Sequence, residues 1–277
     1  MSPPQPTFDT RPSCVHRSER RSKCERDRLP FLVVAVTFAC TFMPHGPAVR
    51  AATEWKADMT ETSVRQGGSA VLESEFSRQA FELTADPTTP EWRQAPSVRA
   101  DRDYLGEPIA GPPTEIRSRW TAEHLYLLFI CPYEELNLKP DPSTTVETPR
   151  LWNWDVAEAF IGADFTQIAR YREFQVSPQG EWIDLDINRQ DREAQGGMGW
   201  NSGFTVKARI DRAAKIWYGE MRIPFSAIDA RPPEAGRELR LGLYRIAGVN
   251  PRIYYAWRPT GQTTFHVPEA FGTLRLR

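Results

Sequence analysis

Nine tryptophans stand among the 277 residues, and an indole ring serves equally to fill a core or to stack on a ligand. Trp120, Trp182 and Trp217 lie within or at the ends of apolar runs, where core packing is their expected role. Trp152 and Trp154 are placed differently. They flank Asn153 in a segment opened by Pro149 and closed by Asp155, just ahead of an apolar run. Rings held on such a loop leave apolar surface uncovered unless something lies on them. A pyranose suits them, because its C–H faces are apolar and its rim of hydroxyls seeks polar partners. The same rings could instead close the end of the fold.

Carboxylates are the second chemistry-bearing set. Asp184 and Asp186 occupy alternate positions of one run, roughly 6.6 Å apart by strand rise, and Asp155 stands three residues before Glu158. A glycosidase needs two carboxyls about 5 to 9.5 Å apart, so hydrolysis of O-glycosyl bonds is an alternative reading. Acidic side chains at alternate strand positions also lie solvated or hold calcium through their oxygens. Serine and zinc hydrolases lack a starting motif, since there is no Gly-x-Ser-x-Gly and no paired histidine. A haem-binding redox sandwich would need axial ligands converging on one pocket. His124, His266, Met59, Met198 and Met221 form no persuasive pair, and Met221 alternates as a core residue.

The first 51 residues must be set aside before the remaining chain is read. An arginine-rich stretch precedes the nearly uncharged apolar run from Phe31 to Met43, and Val49-Arg50-Ala51 follows. This is the pattern of a cleaved export signal, too short to span a bilayer, which takes roughly 20 residues. Cleavage after Ala51 is expected, with a secreted or periplasmic product and no membrane insertion afterwards. Lipidation at Cys40 is disfavoured, because Thr37 stands where such a site takes an aliphatic residue. Cys14, Cys24 and Cys40 leave with the signal, so Cys131 can form no internal disulfide and reads as a small buried hydrophobe. The leader also holds 8 of the 35 Lys and Arg and 4 of the 36 Asp and Glu, which leaves a net charge of about −5. No basic block remains to hold nucleic acid or an anionic membrane surface.

Residues 52–79 are polar, with Gln66-Gly67-Gly68-Ser69 at their centre, and are expected to form a linker or surface arm. Strand signals follow at 115–120, 125–131, 156–161, 171–176, 182–187, 204–210, 217–223, 239–246, 254–257 and 273–276. Alternation is cleanest from Phe204 to Ile210, as a half-buried antiparallel strand requires. Ser177-Pro178-Gln179-Gly180 reads as a hairpin turn. An all-β chain follows, a sandwich of two antiparallel sheets over residues 80–277.

Four separated segments of that domain resemble family 9 carbohydrate-binding modules, a sandwich related to the DOMON-like domains. They are Trp152-Asn153-Trp154-Asp155-Val156-Ala157-Glu158-Ala159-Phe160-Ile161, Phe174-Gln175-Val176 with the Trp-Ile-Asp hairpin after it, Glu220-Met221-Arg222-Ile223-Pro224-Phe225, and Phe265-His266-Val267-Pro268-Glu269-Ala270-Phe271-Gly272. The resemblance implies non-catalytic binding of a terminal sugar between two aromatic rings, in support of carbohydrate catabolism, with structural calcium as a possible cofactor. By position Trp152 would be one jaw. The second falls near Phe265, in place of a tryptophan, and Gln175 occupies the place of an arginine that meets sugar hydroxyls. Glu158 would be the leading polar contact, Asn153, Arg172 and Gln262 lie within reach, and His266 sits beside the second jaw. The expected partner is an oligo- or polysaccharide.

Overall fold

Alternating side chains build this protein, and every strand expected from alternation is present. The computed structural model describes residues 69–191 and 197–277, all within one compact unit. The expected signal segment, Cys40 and Met59 lie outside the described residues. The strands are β1 (Val71–Phe76), β2 (Ser97–Ala100), β3 (Thr114–Trp120), β4 (His124–Pro132), β5 (Val156–Gly162), β6 (Arg170–Val176), β7 (Trp182–Asn188), β8 (Thr205–Asp211), β9 (Ile216–Pro224), β10 (Glu238–Ala247), β11 (Ile253–Ala256) and β12 (Gly272–Leu276). The hairpin expected at 177–180 joins β6 to β7. The Ser177 N–H donates to the Glu181 carbonyl, and Gly180 takes a φ of +88°, which glycine adopts without strain.

Two expectations are corrected. The stretch read as a polar arm to residue 79 contains β1 at its C-terminal end, and β2 also went unseen. β1 has the sequence Val-Leu-Glu-Ser-Glu-Phe and buries little besides Leu72 and Ser74. Its place is set by backbone pairing, which leaves no hydrophobic period. Nor are the sheets two separate antiparallel layers. Hydrogen-bonded neighbours run in the order β7-β6-β5-β10-β12-β1-β3-β4-β9-β8, with β11 on β10 and β2 on β3. β1 pairs in parallel with β12 through Val71–Ser74 and with β3 through Glu75 and Phe76. The sheet therefore folds back on itself as a barrel-like sandwich, joined along one side by β1.

The main core lies between the two halves, where Phe174 and Val176 of β6, Leu241 and Leu243 of β10, Leu127 and Phe129 of β4 and Trp217 and Met221 of β9 meet. Gly219 permits this approach, since a Cβ there would come 2.8 Å from Val176 and 2.9 Å from the Trp217 ring. Cys131 is buried in the same core, and burial pushes its thiol up to about 12, so it packs as expected. Arg245 ties the halves together at one end. Its guanidinium donates to Thr114 Oγ1 at 3.1 Å and to the Pro132 carbonyl at 2.8 Å, and lies over the Tyr255 ring. Glu220 fastens the segment before β2. Its carboxylate accepts from the Thr84 N–H at 2.8 Å, the Ala85 N–H at 2.6 Å and the Trp92 indole N–H at 2.8 Å.

Candidate functional site

The strands β5, β6, β7 and β10 are buried on both faces, and their outward face carries the site. Along β5, Ala157, Ala159 and Ile161 enter the main core, while Val156 and Phe160 belong to a second apolar cluster on the other side. By the same period of two, Glu158 shares the face of Phe160. On β6, Phe174 and Val176 point inward, which turns Tyr171, Glu173 and Gln175 outward. Leu185 and Ile187 of β7 and Ile246 of β10 complete the floor. Above it lies a cavity of about 410 Å³, walled by Trp152, Tyr104, Tyr254 and the 263–266 segment.

Each wall is held by identifiable contacts. Trp152 sits in a single helical turn, Leu151–Asn153, anchored by Leu151, which is fully buried in the second cluster. Arg252 clamps that turn by donating to the carbonyls of Asn153 and Trp154, both at 2.7 Å, and Asn137 Nδ2 donates to the Asn153 carbonyl at 3.2 Å. Opposite, the Phe265 ring stacks on Tyr244 with centroids 4.2 Å apart and planes 10° apart. Tyr244 in turn lies along its strand over Gly242, where a Cβ would come within 2.6 Å of the ring. Thr260 Oγ1 lies 2.7 Å from the Thr264 carbonyl and 3.2 Å from that of Tyr104, which holds the loop closed. His266 stacks on Phe160, and its Nδ1 lies 2.7 Å from the Tyr171 hydroxyl. Burial, with help from Arg189, pushes the imidazole down to about 4.

The polar centre of the cavity is a pair of carboxyls bridged by an amide. Gln175 faces Glu158 across the β5–β6 ladder, and its Nε2 donates to Glu158 Oε1 at 2.9 Å and also to Glu173 Oε1. All three side chains are buried. Burial raises both carboxyls well above the usual range, and for Glu158 the neighbouring Glu173 adds to the rise. Two buried atoms of this centre have no hydrogen-bond partner, Glu173 Oε2 and Gln175 Oε1. A native interior rarely leaves such atoms unsatisfied.

A carboxyl whose folded pKa is raised holds its proton more tightly in the native state than in the unfolded chain. Stability is then fullest below the unfolded value of about 4.3 and is lost as pH climbs from there through the folded value. Thermal melts from pH 5 to 9 should therefore show wild-type stability falling towards alkaline pH, and Glu173→Gln should flatten that fall. Parallel curves for the two proteins would refute the shared burial cost.

Of the residues expected at a site, Trp152, Glu158, Gln175, Phe265 and His266 line this cavity together. Four do not. Asn153 is exposed and contributes its carbonyl to Arg252. Trp154 faces the Lys139 ammonium, 5.8 Å from its ring centroid, outside the cavity lining. Arg172 follows Tyr171 by one position and so projects through the other face, where it donates to the Ala227 carbonyl and pairs with Asp186. Gln262 is exposed beyond the loop that Thr260 closes. Asp184 and Asp186 likewise face away from the cavity. Asp184 accepts from the Ser202 N–H at 2.9 Å. Glu173 went unrecognised, although its spacing of two from Gln175 puts it on the same sheet face. Tyr104 and Tyr254 had no local signal, because they reach the cavity from loops and strands far apart in the chain.

No family model matches the chain. A curated protein of the fungus Arthroderma benhamiae, named an extracellular protein, is 23% identical over 173 residues, which span 58% of this chain and 77% of the relative. Among solved structures, a Bacteroides uniformis protein proposed to bind carbohydrate is similar at 17% identity with a TM-score of 0.59, over 75% of this chain and 99% of that one. A family 9 carbohydrate-binding module from Caldicellulosiruptor kristjanssonii, solved with glucose, is similar at 14% identity and a TM-score of 0.53, over 74% of this chain and 95% of the module. The same kind of module solved with cellotriose is similar at 13% identity and a TM-score of 0.53. These structures share the fold of this chain and are carbohydrate-binding modules or are assigned to that role, in keeping with the resemblance read from sequence.

Proposed function

We propose that this protein is a non-catalytic carbohydrate-binding domain acting outside the cytoplasm, and that its aromatic-walled cavity grips a terminal sugar in support of carbohydrate catabolism. The observation that carries this reading is the pairing of apolar rings with buried, unpartnered polar atoms in one cavity. Trp152 and Phe265 offer ring faces or edges to the C–H surface of a pyranose, while Glu173 Oε2 and Gln175 Oε1 await hydroxyl donors. The neighbours solved with glucose and cellotriose support the ligand class, and the extracellular name of the fungal relative supports the location.

Hydrolysis is less well supported. The two carboxyls of the cavity sit side by side on one wall and share one amide, whereas a glycosidase sets its pair across the scissile bond. Haem binding finds little support either: Met221 packs in the main core, and His266 shares its lining with no methionine or lysine among the described residues. Structural calcium belongs to the same reading as what the resemblance implies; among the described residues no three His, Cys, Asp or Glu side chains converge, so such a site would draw on backbone and amide carbonyls as well as carboxylates. Calorimetric titration and a glycan array test the proposal directly. Saturable binding of at least one mono- or oligosaccharide is expected, with sugar release from xylan and glucan at background. An array without a single binder would remove the reading, and turnover lost in Glu158→Gln would replace it with hydrolysis.

A further inference from the structure

We propose that the sugar this cavity prefers is cationic, an amino sugar whose free ammonium docks on Glu173 Oε2 and Gln175 Oε1, beside Glu158. The inference rests on the carbohydrate reading above and specifies the ligand within it. The donor and acceptor inventory of the cavity leads to it. Gln175 spends its amide N–H groups on Glu158 and Glu173, and its own Oε1 is left bare. Glu173 Oε2 is bare as well, with the nearest imidazole nitrogen, His266 Nε2, 3.9 Å away, beyond hydrogen-bonding reach. The unmet atoms at the centre are thus oxygens, side by side on one wall, and both are acceptors once Glu173 ionises.

A sugar hydroxyl brings one donor and also two lone pairs that must be accommodated. An ammonium brings three donors, no acceptor and a positive charge. It alone satisfies several adjacent acceptors without adding another.

Charge argues the same way. Two buried carboxyls in an apolar surround are costly to ionise together unless a cation accompanies them. No Lys or Arg is among the described residues that line the cavity. Arg252 does influence Glu158, but its guanidinium is committed to the carbonyls of Asn153 and Trp154 behind the wall. His266 is held neutral by burial. The protein has therefore placed two carboxyls, each holding its proton by burial, where it supplies no adjacent cation of its own, and an arriving ammonium is what allows one of them to ionise. Around the pair stand Trp152, Tyr104, Tyr254 and Phe265, and aromatic faces attract a cation through their quadrupole.

The test is titration calorimetry at pH 6.5 with glucosamine, glucose and N-acetylglucosamine, on wild type and on Glu173→Gln and Glu158→Gln. Glucosamine should bind at least ten-fold more tightly than glucose, and its N-acetyl form, which has lost the charge, should lose that advantage. In either Gln variant the ratio of glucosamine to glucose affinity should collapse towards one, whatever happens to glucose itself, and near-UV circular dichroism confirms that each variant is folded. Glucose binding as tightly as glucosamine would overturn the cationic preference and leave a neutral-sugar module standing. Failure of all three sugars and of their oligomers would overturn both readings together.

Discussion

Trp152→Ala should weaken saccharide binding by about 30-fold or more while leaving the fold in place. A central aromatic anchor of a ligand site typically contributes about 2 kcal/mol or more on truncation, and each 1.4 kcal/mol is a factor of ten. The fold should survive because the indole is only partly buried. The packing of its turn is carried by Leu151 beneath it, and the turn is held by Arg252 and Asn137. The measurement is a titration of wild type and variant with the same glycan, alongside melts of each. Undiminished affinity would show that Trp152 merely closes the end of the sandwich. The contrast with Phe265 is useful here, since Phe265 is buried and stacked on Tyr244, so its removal would combine lost binding with lost packing.

The second large effect belongs to Glu220, which has no part in the site. Glu220→Ala should lower stability by about 3–5 kcal/mol, because it leaves the N–H groups of Thr84, Ala85 and Trp92 without their acceptor and opens space beside a fully buried indole. For a domain of this size each kcal/mol moves the melting temperature by about 2–4 °C, so a drop on the order of 10 °C is expected. Glu220→Gln retains one acceptor oxygen and should fall between the two. Differential scanning calorimetry reads both, and a shift of less than about 2 °C for the alanine variant would show that the segment before β2 is held by other contacts. Saccharide affinity at low temperature should remain in Glu220→Ala, since the cavity lies on the opposite side of the strands β5 to β7.

Much of this protein is legible as periodicity. Ten strands follow from runs such as Phe204 to Ile210 and Leu125 to Cys131, because a half-buried sheet imposes a period of two and a buried strand a continuous apolar run. The hairpin at Ser177 to Gly180 follows from turn chemistry. Half of the cavity was legible too: Trp152 and Glu158 stand near each other in the chain, on a turn and the strand it leads into, so local spacing already places them at one end of β5. Arg172 shows the limit of the same reasoning. It is one residue from Tyr171 and three from Gln175, and an odd offset along a strand sends it through the sheet to Asp186 and Ala227.

Pairing between distant strands decided everything else. β1 is polar and nearly without period, and only parallel hydrogen bonding to β12 and β3 makes it the seam of the sandwich. The Glu158–Gln175–Glu173 centre exists because β5 and β6 pair in the register that sets Glu158 against Gln175. A shift of one residue would turn these groups into the core. Tyr104, Tyr254 and Phe265 reach the cavity from three separate segments, and Arg252 clamps a turn 98 residues away in sequence. Residue types and spacing thus specify strands and the faces they present, because those follow from local sterics and burial. The partners that meet across a face follow from long-range register, a property of the folded chain as a whole.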